Sequence, residues 1–161
     1  GKNTLTLMEQ EKEIPYFGVA AIFSMDCSNE ECLYHQSDVE IPDSGKPVKL
    51  EYEISSEEDM NVRVIKSASA TVKLPRIMSI EPGTVSSGYI TNIEGILSRV
   101  KRMLEKTRDD SDEKDVQKKC KNMIKKIQNI IWGRDSIKLS IDDPTGNSAI
   151  ISEKTVVKKG K

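Results

Sequence analysis

The sequence contains few of the residues on which metal-dependent active sites and nucleic-acid-binding surfaces depend. Its 161 residues include a single histidine, His35, and its aromatic residues are two Phe, four Tyr and one Trp. A metal-dependent active site on a β scaffold commonly needs two or more histidines together with a carboxylate, so this histidine content excludes that arrangement. So few aromatic rings also leave few platforms on which nucleic-acid bases could stack.

The sequence also lacks an excess of either charge, a phosphate-binding motif and a long apolar run. Lys and Arg total 25 against 26 Asp and Glu, a formal net charge of −1, so no global field attracts DNA, RNA or anionic lipid. Neither GxxxxGK(S/T) nor GxGxxG occurs, which argues against a nucleotide site. No apolar run reaches the length of a membrane span. The cysteines number 3, which does not make a disulfide framework, so we expect a reducing, cytoplasmic compartment.

One stretch of the chain, residues 91–133, has the periodicity of α-helices. Apolar residues recur at i, i+3, i+4 and i+7 from Ile93 to Leu104 and again from Val116 to Ile131. A polar turn at 107–111 separates the two repeats. The stretch therefore predicts an antiparallel α-helical hairpin, inserted into a chain that is otherwise strand-like.

The ends of the two helices carry recognisable signals. Thr91 and Glu94 have the spacing of a capping box, which predicts that the first helix starts there. Asp112 is the predicted cap of the second helix, and Gly133 the left-handed stop after it.

Lysines give the second helix a basic outer face, formed by Lys118, Lys119, Lys121, Lys125 and Lys126. Such a face could meet an acidic partner or a phosphate backbone. The alternative is that it is only a solvated helix surface.

Alternation of apolar and polar residues predicts β-strands on both sides of the hairpin. The clearest is Val48–Ile54, which alternates without error. Other strands are predicted at 5–7, 17–25, 62–66, 70–74, 77–80, 137–141, 149–151 and 155–157. Many short strands separated by turns are typical of a sandwich, jelly roll or barrel.

Cys27 and Cys32 follow the second predicted strand, with four residues between them. A zinc ribbon places its ligands in this way, on turns at the ends of a β-hairpin. The alternative is two reduced thiols on a loop. His35 could add a third ligand or be solvated, but a structural zinc site takes four ligands. Cys120 falls on the apolar stripe of the second helix, where we expect it to be a buried hydrophobic residue.

Two segments rich in proline, glycine and aspartate predict turns. The first, residues 42–47, divides the chain into a cysteine-bearing module at 1–44 and a β domain at 45–161. The second follows the hairpin and contains Asp142, Asp143, Gly146 and Asn147. Its adjacent carboxylates point apart along a strand end and cannot serve as a general acid–base pair. This second segment is either only a tight connection between strands or a rigid loop that contacts a partner.

Five motifs, in this order, resemble the ZPR-type zinc-finger family over nearly the whole chain. They are residues 13–18 (EIPYFG), 64–71 (VIKSASAT) with the following Leu74-Pro75, 80–84 (IEPGT), 91–99 (TNIEGILSR) and 141–148 (IDDPTGNS). The resemblance implies a zinc finger followed by a double-stranded β-helix or jelly-roll domain with an inserted helical hairpin, in agreement with the fold predicted from the pattern. A single copy, as here, is similar to the archaeal form.

The resemblance also implies a function. Family members bind other proteins, and those of eukaryotes, with the unit in tandem, assist the folding of translation elongation factor 1-alpha and are linked to receptor tyrosine kinases. The residues implied as partner contacts lie in the last two motifs and are Thr91, Glu94, Arg99, Asp142, Asp143, Gly146 and Asn147.

The cysteines depart from the family pattern. The family's finger uses two CxxC pairs, whereas here Cys27 and Cys32 form the only pair and its spacing is wider. We therefore expect a start truncated upstream of Gly1 and a zinc site that is incomplete in this chain, with substoichiometric metal.

These observations leave three hypotheses. The first is a chaperone-like binding protein for elongation factor 1-alpha, with the finger and the hairpin as contact surfaces and no catalytic residue. The second is a nucleic-acid-binding zinc-ribbon adaptor, which the neutral charge and few aromatics disfavour. The third is a zinc-handling protein.

Overall fold

The computed structural model of the protein describes residues 4–15, 17–42, 45–83 and 86–160. Within these ranges the chain is mainly β with one pair of helices, which confirms the predicted fold class. The elements are β1 (Leu5–Ile14), β2 (Gly18–Cys27), β3 (His35–Glu40), β4 (Val48–Ile54), a 3-10 helix (Glu57–Asn61), β5 (Arg63–Lys66), β6 (Thr71–Leu74), β7 (Met78–Ile80), β8 (Tyr89–Asn92), α1 (Ile93–Asp110), α2 (Lys114–Ile131), β9 (Ile137–Asp143), β10 (Ala149–Ile151) and β11 (Val156–Lys159). No helix of the described residues has both the length and the apolar character to cross a membrane.

The N-terminal module is an antiparallel sheet in the order β1-β2-β3. Its β1 extends to Ile14, well past the predicted end at Leu7, and β3 was not predicted at all. Both errors have one cause, since residues 8–14 of β1 and the whole of β3 are mostly polar and show no regular apolar alternation. Their pairing partner β2 supplies the apolar residues. The residues at the predicted truncation, 1–3, and Asp43 and Ser44 at the predicted module boundary lie outside the described residues.

The larger domain has two sheets, one in the order β10-β5-β8 and one in the order β11-β4-β9-β6-β7. Apolar residues from both sheets and both helices share one core, which is the reason the sequence alternates so cleanly in β4 and β9. Strand β8 was not predicted. It is four residues long and leads directly into α1, so its pattern merges with that of the helix.

The helical hairpin is present as predicted, but the signals at its ends were partly misread. Asn92, not Thr91, caps α1, because its Oδ1 accepts a hydrogen bond from the Gly95 amide at 2.8 Å. Thr91 is still in strand β8, so the predicted Thr91–Glu94 capping box is wrong. Helix α1 continues through the predicted turn to Asp110.

The second helix also begins later than predicted and ends as predicted. Glu113 precedes α2 and makes no side-chain cap, so the prediction of Asp112 is wrong. Gly133 follows α2 with a φ of 71°, which confirms the left-handed stop.

Strand β5 joins the two modules because one of its faces packs in the large core and the other packs against the N-terminal sheet. Val64 points into the large core, and its neighbour Ile65 points the other way, into a second cluster with Ile14, Ala20 and Val39 of the N-terminal sheet. Neighbouring strand residues face opposite sides, so one strand contributes to both cores and holds the N-terminal sheet against the domain.

Candidate protein-binding site

The predicted cysteine pair lies at the end of the hairpin formed by β2 and β3. Cys27 is the last residue of β2 and is half-buried, and Cys32 is exposed on the connection to β3. The Cys27 sulfur lies 3.5 Å from the Thr4 hydroxyl. This hydroxyl, the backbone of Asn29 and the Cys32 side chain together lower the pKa of the Cys27 thiol below its usual range. Both thiols are free.

The residues around this pair do not fit a complete zinc site. Among the described residues, no group of three or more His, Cys, Asp or Glu side chains is placed to hold a metal. His35 opens β3 and its Nδ1 contacts the carboxylate of Asp26, its partner across the sheet. The pair and its neighbours thus offer two thiols where structural zinc takes four ligands.

One face of the N-terminal sheet, which we call the outer face, carries a group of apolar residues that lies outside both cores of the described residues. Cross-strand partners share a face, so the register places Leu5, Leu7, Val19, Phe23 and Met25 together. Leu5 is 56%, Leu7 70% and Val19 45% exposed. A contiguous exposed apolar patch of this kind marks a site of interaction.

Carboxylates lie on the outer face beside the apolar residues. Glu9, Glu11 and Glu13 alternate along β1 on the same side as Leu5 and Leu7, and all three are exposed. The outer face therefore combines apolar contact area with negative charge, which matches a partner surface that is apolar at its centre and basic at its edge. Sequence reasoning expected a contact surface on this module but did not identify this face. The signal was present in the alternation of Leu5 and Leu7 and of residues 17–25.

The loop after β9 is held by hydrogen bonds inside the fold. Asp143 is 2% exposed. Its Oδ1 accepts from the Thr145 amide at 2.8 Å and the Thr145 hydroxyl at 2.7 Å, and its Oδ2 accepts from the hydroxyls of Ser67 at 2.7 Å and Ser148 at 2.5 Å. Burial alone would raise the pKa of this carboxyl, but the four hydrogen bonds outweigh it and hold the pKa below its usual range.

The same loop ties the segment between the modules to the domain. The Asn147 side chain accepts from the Ile41 amide at 3.2 Å. Gly146 has a φ of 72°, and a Cβ on it would lie 2.3 Å from the Lys46 carbonyl oxygen, so only glycine fits. Asp142 points the other way and pairs with Lys73 at 2.8 Å on the surface. A partner contact by this loop stays a prediction.

The predicted contacts on the hairpin lie apart from that loop. Thr91 pairs with Val64 within the sheet, and Glu94 is exposed in the first turn of α1. Arg99 is also exposed, and its guanidinium lies 3.9 Å from the centre of the Tyr89 ring. Three groups of predicted site residues result: the cysteine pair, the start of α1 and the loop after β9. Within the described ranges, no hydrogen bond connects any one of these groups to another. They are three separate surfaces.

The architecture defines a class of protein: a jelly-roll domain with an inserted helical hairpin, joined to a small cysteine-bearing antiparallel sheet. The ZPR1 jelly-roll domain family matches residues 58–159. An uncharacterised ZPR1-like protein of Pyrococcus horikoshii is 34% identical over 163 residues, covering 99% of this chain and 72% of the relative. One of Methanocaldococcus jannaschii is 34% identical over 154 residues, covering 95% of this chain and 77% of the relative. The chain belongs to the ZPR1 family.

A more distant relative carries a functional name. The zinc finger chaperone zpr1 of Schizosaccharomyces pombe is 32% identical over 141 residues, which are 85% of this chain and 30% of that protein. The name applies to a protein of which this chain matches less than a third, so the activity of the whole relative enters only as part of a proposal.

Proposed function

We propose that this chain is a protein-binding module that acts in the cytoplasm as a chaperone or adaptor for translation elongation factor 1-alpha. Family membership supports the class of function, because a relative is named a zinc finger chaperone. The elongation factor as client rests on the motifs at 91–99 and 141–148 that resemble the family. We assign no catalytic residue and no turnover to it.

The observation that carries the proposal is the outer face of the N-terminal sheet. A sheet face that exposes Leu5 and Leu7 while its other side is packed on the domain has apolar area available for a partner. A folding client exposes apolar surface of its own, and covering both surfaces removes them from water. The carboxylates of Glu9, Glu11 and Glu13 on the same face then select clients whose exposed segment carries basic residues beside its apolar ones.

The test is synthesis of elongation factor 1-alpha in a cell-free reaction with and without this protein. We expect more soluble, folded factor and a co-purifying complex when the protein is present. The double variant Leu5→Thr/Leu7→Thr keeps β-forming residues on the strand and should lose both effects. Its matched control is Val156→Thr/Val157→Thr, since Val156 and Val157 are 49% and 64% exposed on β11, in a different sheet. Wild-type protein that yields no complex and no extra folded factor refutes the proposal.

A second candidate, a nucleic-acid-binding adaptor, is favoured by one surface on the hairpin. Trp132 is 53% exposed at the end of α2, and the Arg134 guanidinium lies 5.0 Å from the centre of its ring. Lys121 and Lys125 line the same depression. An exposed ring among cations can stack a base. RNA binding that weakens steeply with salt and is lost in Trp132→Ala would favour this candidate over protein binding.

A further inference from the structure

A groove lies between helix α1 and residues 80–83 and 86–87, which precede β8. Its volume is about 770 Å³. The lining is mixed: Lys66, Arg99 and Arg102 carry positive charge, Glu81 carries the single negative charge, and the remaining side chains include Ile80, Ser86, Ser87, Tyr89 and Met103. The described lining thus has a charge of about +2 at neutral pH.

Two cations lie against the same aromatic ring in this groove. Lys66 and Tyr89 are direct partners in the pairing of β5 with β8, and the Lys66 ammonium lies 5.5 Å from the centre of the Tyr89 ring. The Arg99 guanidinium lies 3.9 Å from the same centre. The ring face attracts both charges and fixes where they sit. Stacked on a ring, a guanidinium keeps its N–H edge available for a bidentate acceptor.

Among the described residues, the buried cation of these two, Lys66, has no close counter-ion. Lys66 is 5% exposed. Its Nζ donates to the carbonyl oxygens of Ser67 at 3.0 Å and Ser87 at 3.3 Å. Within the described part of the chain, no carboxylate lies within 4.0 Å of Lys66, Arg99 or Arg102. Buried charges in folded proteins are usually paired, so this arrangement is that of a site ready for an anion.

The electrostatic environment of Lys66 is consistent with an anion-binding site. Burial has the largest effect and lowers the pKa of its ammonium, the carboxylates of Asp38 and Asp143 raise it, and Arg99 lowers it again. The balance stays below the usual value. An anion in the groove would raise the pKa of Lys66.

We propose that this groove binds an acidic segment of a protein partner, with one glutamate or aspartate carboxylate seated between Lys66 and Arg99. A carboxylate matches the bidentate geometry of a guanidinium. At the position between Lys66 and Arg99, the Glu81 carboxylate in the lining disfavours a dianionic phosphate group more than a singly charged carboxylate. Ile80 and Met103 offer apolar contact to the aliphatic part of a glutamate side chain. The proposal stands on the groove alone and does not require that the partner be the elongation factor.

The test is fluorescence anisotropy with a fluorescein-labelled hexaglutamate peptide, and with hexaglutamine as the uncharged probe. We expect wild-type protein to bind hexaglutamate and Arg99→Gln to bind it about tenfold to a hundredfold more weakly, the effect of losing a charge-assisted bidentate contact. Arg134→Gln is the matched control, because Arg134 also lies over an aromatic ring but outside the groove. The affinity of Arg134→Gln for hexaglutamate should stay within about twofold of wild type. Lys66→Met is a second variant of the groove and, where it folds, should also bind hexaglutamate more weakly.

Several outcomes overturn the proposal. Equal binding by wild type and Arg99→Gln means that the peptide binds elsewhere, for example on the lysines of α2. Equal affinity for hexaglutamine means that charge is not recognised. Displacement of the peptide by inorganic phosphate as readily as by free glutamate means that the groove takes any oxyanion. None of these results bears on complex formation with elongation factor 1-alpha, so the two proposals fail separately.

Discussion

The buried carboxylate of Asp143 makes a quantitative prediction about stability. Its side chain accepts four hydrogen bonds, and its two oxygens divide them evenly between Thr145 and the pair of serines Ser67 and Ser148. The substitution Asp143→Asn keeps the shape and retains one acceptor oxygen, but it places an NH2 group where Oδ2 accepted from the two hydroxyls. Both serine hydroxyls must then turn away or lose their acceptor.

The magnitude follows from the kind of bond that is lost. A hydrogen bond to a charged group contributes about 1.5–3 kcal/mol, and two are removed, although reorientation of the hydroxyls recovers part of that. We therefore expect Asp143→Asn to lower the free energy of unfolding by about 2–4 kcal/mol, and Asp143→Ala by somewhat more, since Thr145 also loses its acceptor. Against a typical domain stability of about 5–15 kcal/mol, this loss is readily measured.

The assay is urea unfolding followed by far-UV circular dichroism. Asp142→Asn is the matched control, because Asp142 is the adjacent residue and makes only a surface ion pair with Lys73, an interaction that contributes little. The midpoint of Asp142→Asn should not move. Equal midpoints for Asp143→Asn and Asp142→Asn would refute the view that the loop after β9 is held from inside the fold.

Three further predictions concern other parts of the chain. Gly133→Ala should lower the free energy of unfolding by about 1–3 kcal/mol, because φ is 71° there and the new Cβ would lie 2.9 Å from the Glu57 backbone nitrogen; an unchanged urea midpoint would contradict this. The hydroxyl of Tyr52 donates to Asp59 at 2.6 Å, and burial followed by Asp59 raises the pKa of Tyr52 to about 12. The raised pKa in the folded state gives stability that is fully present below the unfolded pKa of about 10 and is lost as pH rises through the folded value. The melting temperature of wild type should therefore fall over this pH range, and that of Tyr52→Phe should fall less. Parallel plots of melting temperature against pH for the two proteins would exclude the mechanism. With Cys27 and Cys32 as the only cysteine pair, native mass spectrometry should find less than one zinc per chain, and one tightly held equivalent in a monomer would show that this expectation is wrong.

The helical hairpin could be predicted from the sequence because its information is local. Each helix is long, and its apolar residues repeat within a few positions of one another. The error at its start is equally local. Thr91 and Asn92 are both good caps, and the choice between them depends on where strand β8 ends, which is set by its pairing with β5.

The strands that were missed depend on partners far along the chain. Strand β3, from His35 to Glu40, is too polar to be recognised alone, and it forms because β2 pairs with it in the register Ile22 to Val39. A pairing of this kind leaves no periodic signal in the weaker strand.

The candidate sites also depend on contacts between residues far apart in the sequence, which could not be predicted from local patterns. The sequence predicted the turn at Asp142 and Asp143, and the structure confirms that their side chains point apart. It gave no indication that Asp143 would meet Ser67, which lies 76 positions away. The groove is also non-local, since Lys66 and Tyr89 are brought together only by the register of two strands.

Isothermal titration of purified elongation factor 1-alpha with this chain measures whether the outer face binds this client. We expect that wild type binds, that Leu5→Thr/Leu7→Thr binds at least about tenfold more weakly because apolar area on the outer face is lost, and that Val156→Thr/Val157→Thr binds as wild type does. Absence of heat with the wild-type chain, or equal affinity of the two double variants, would contradict it.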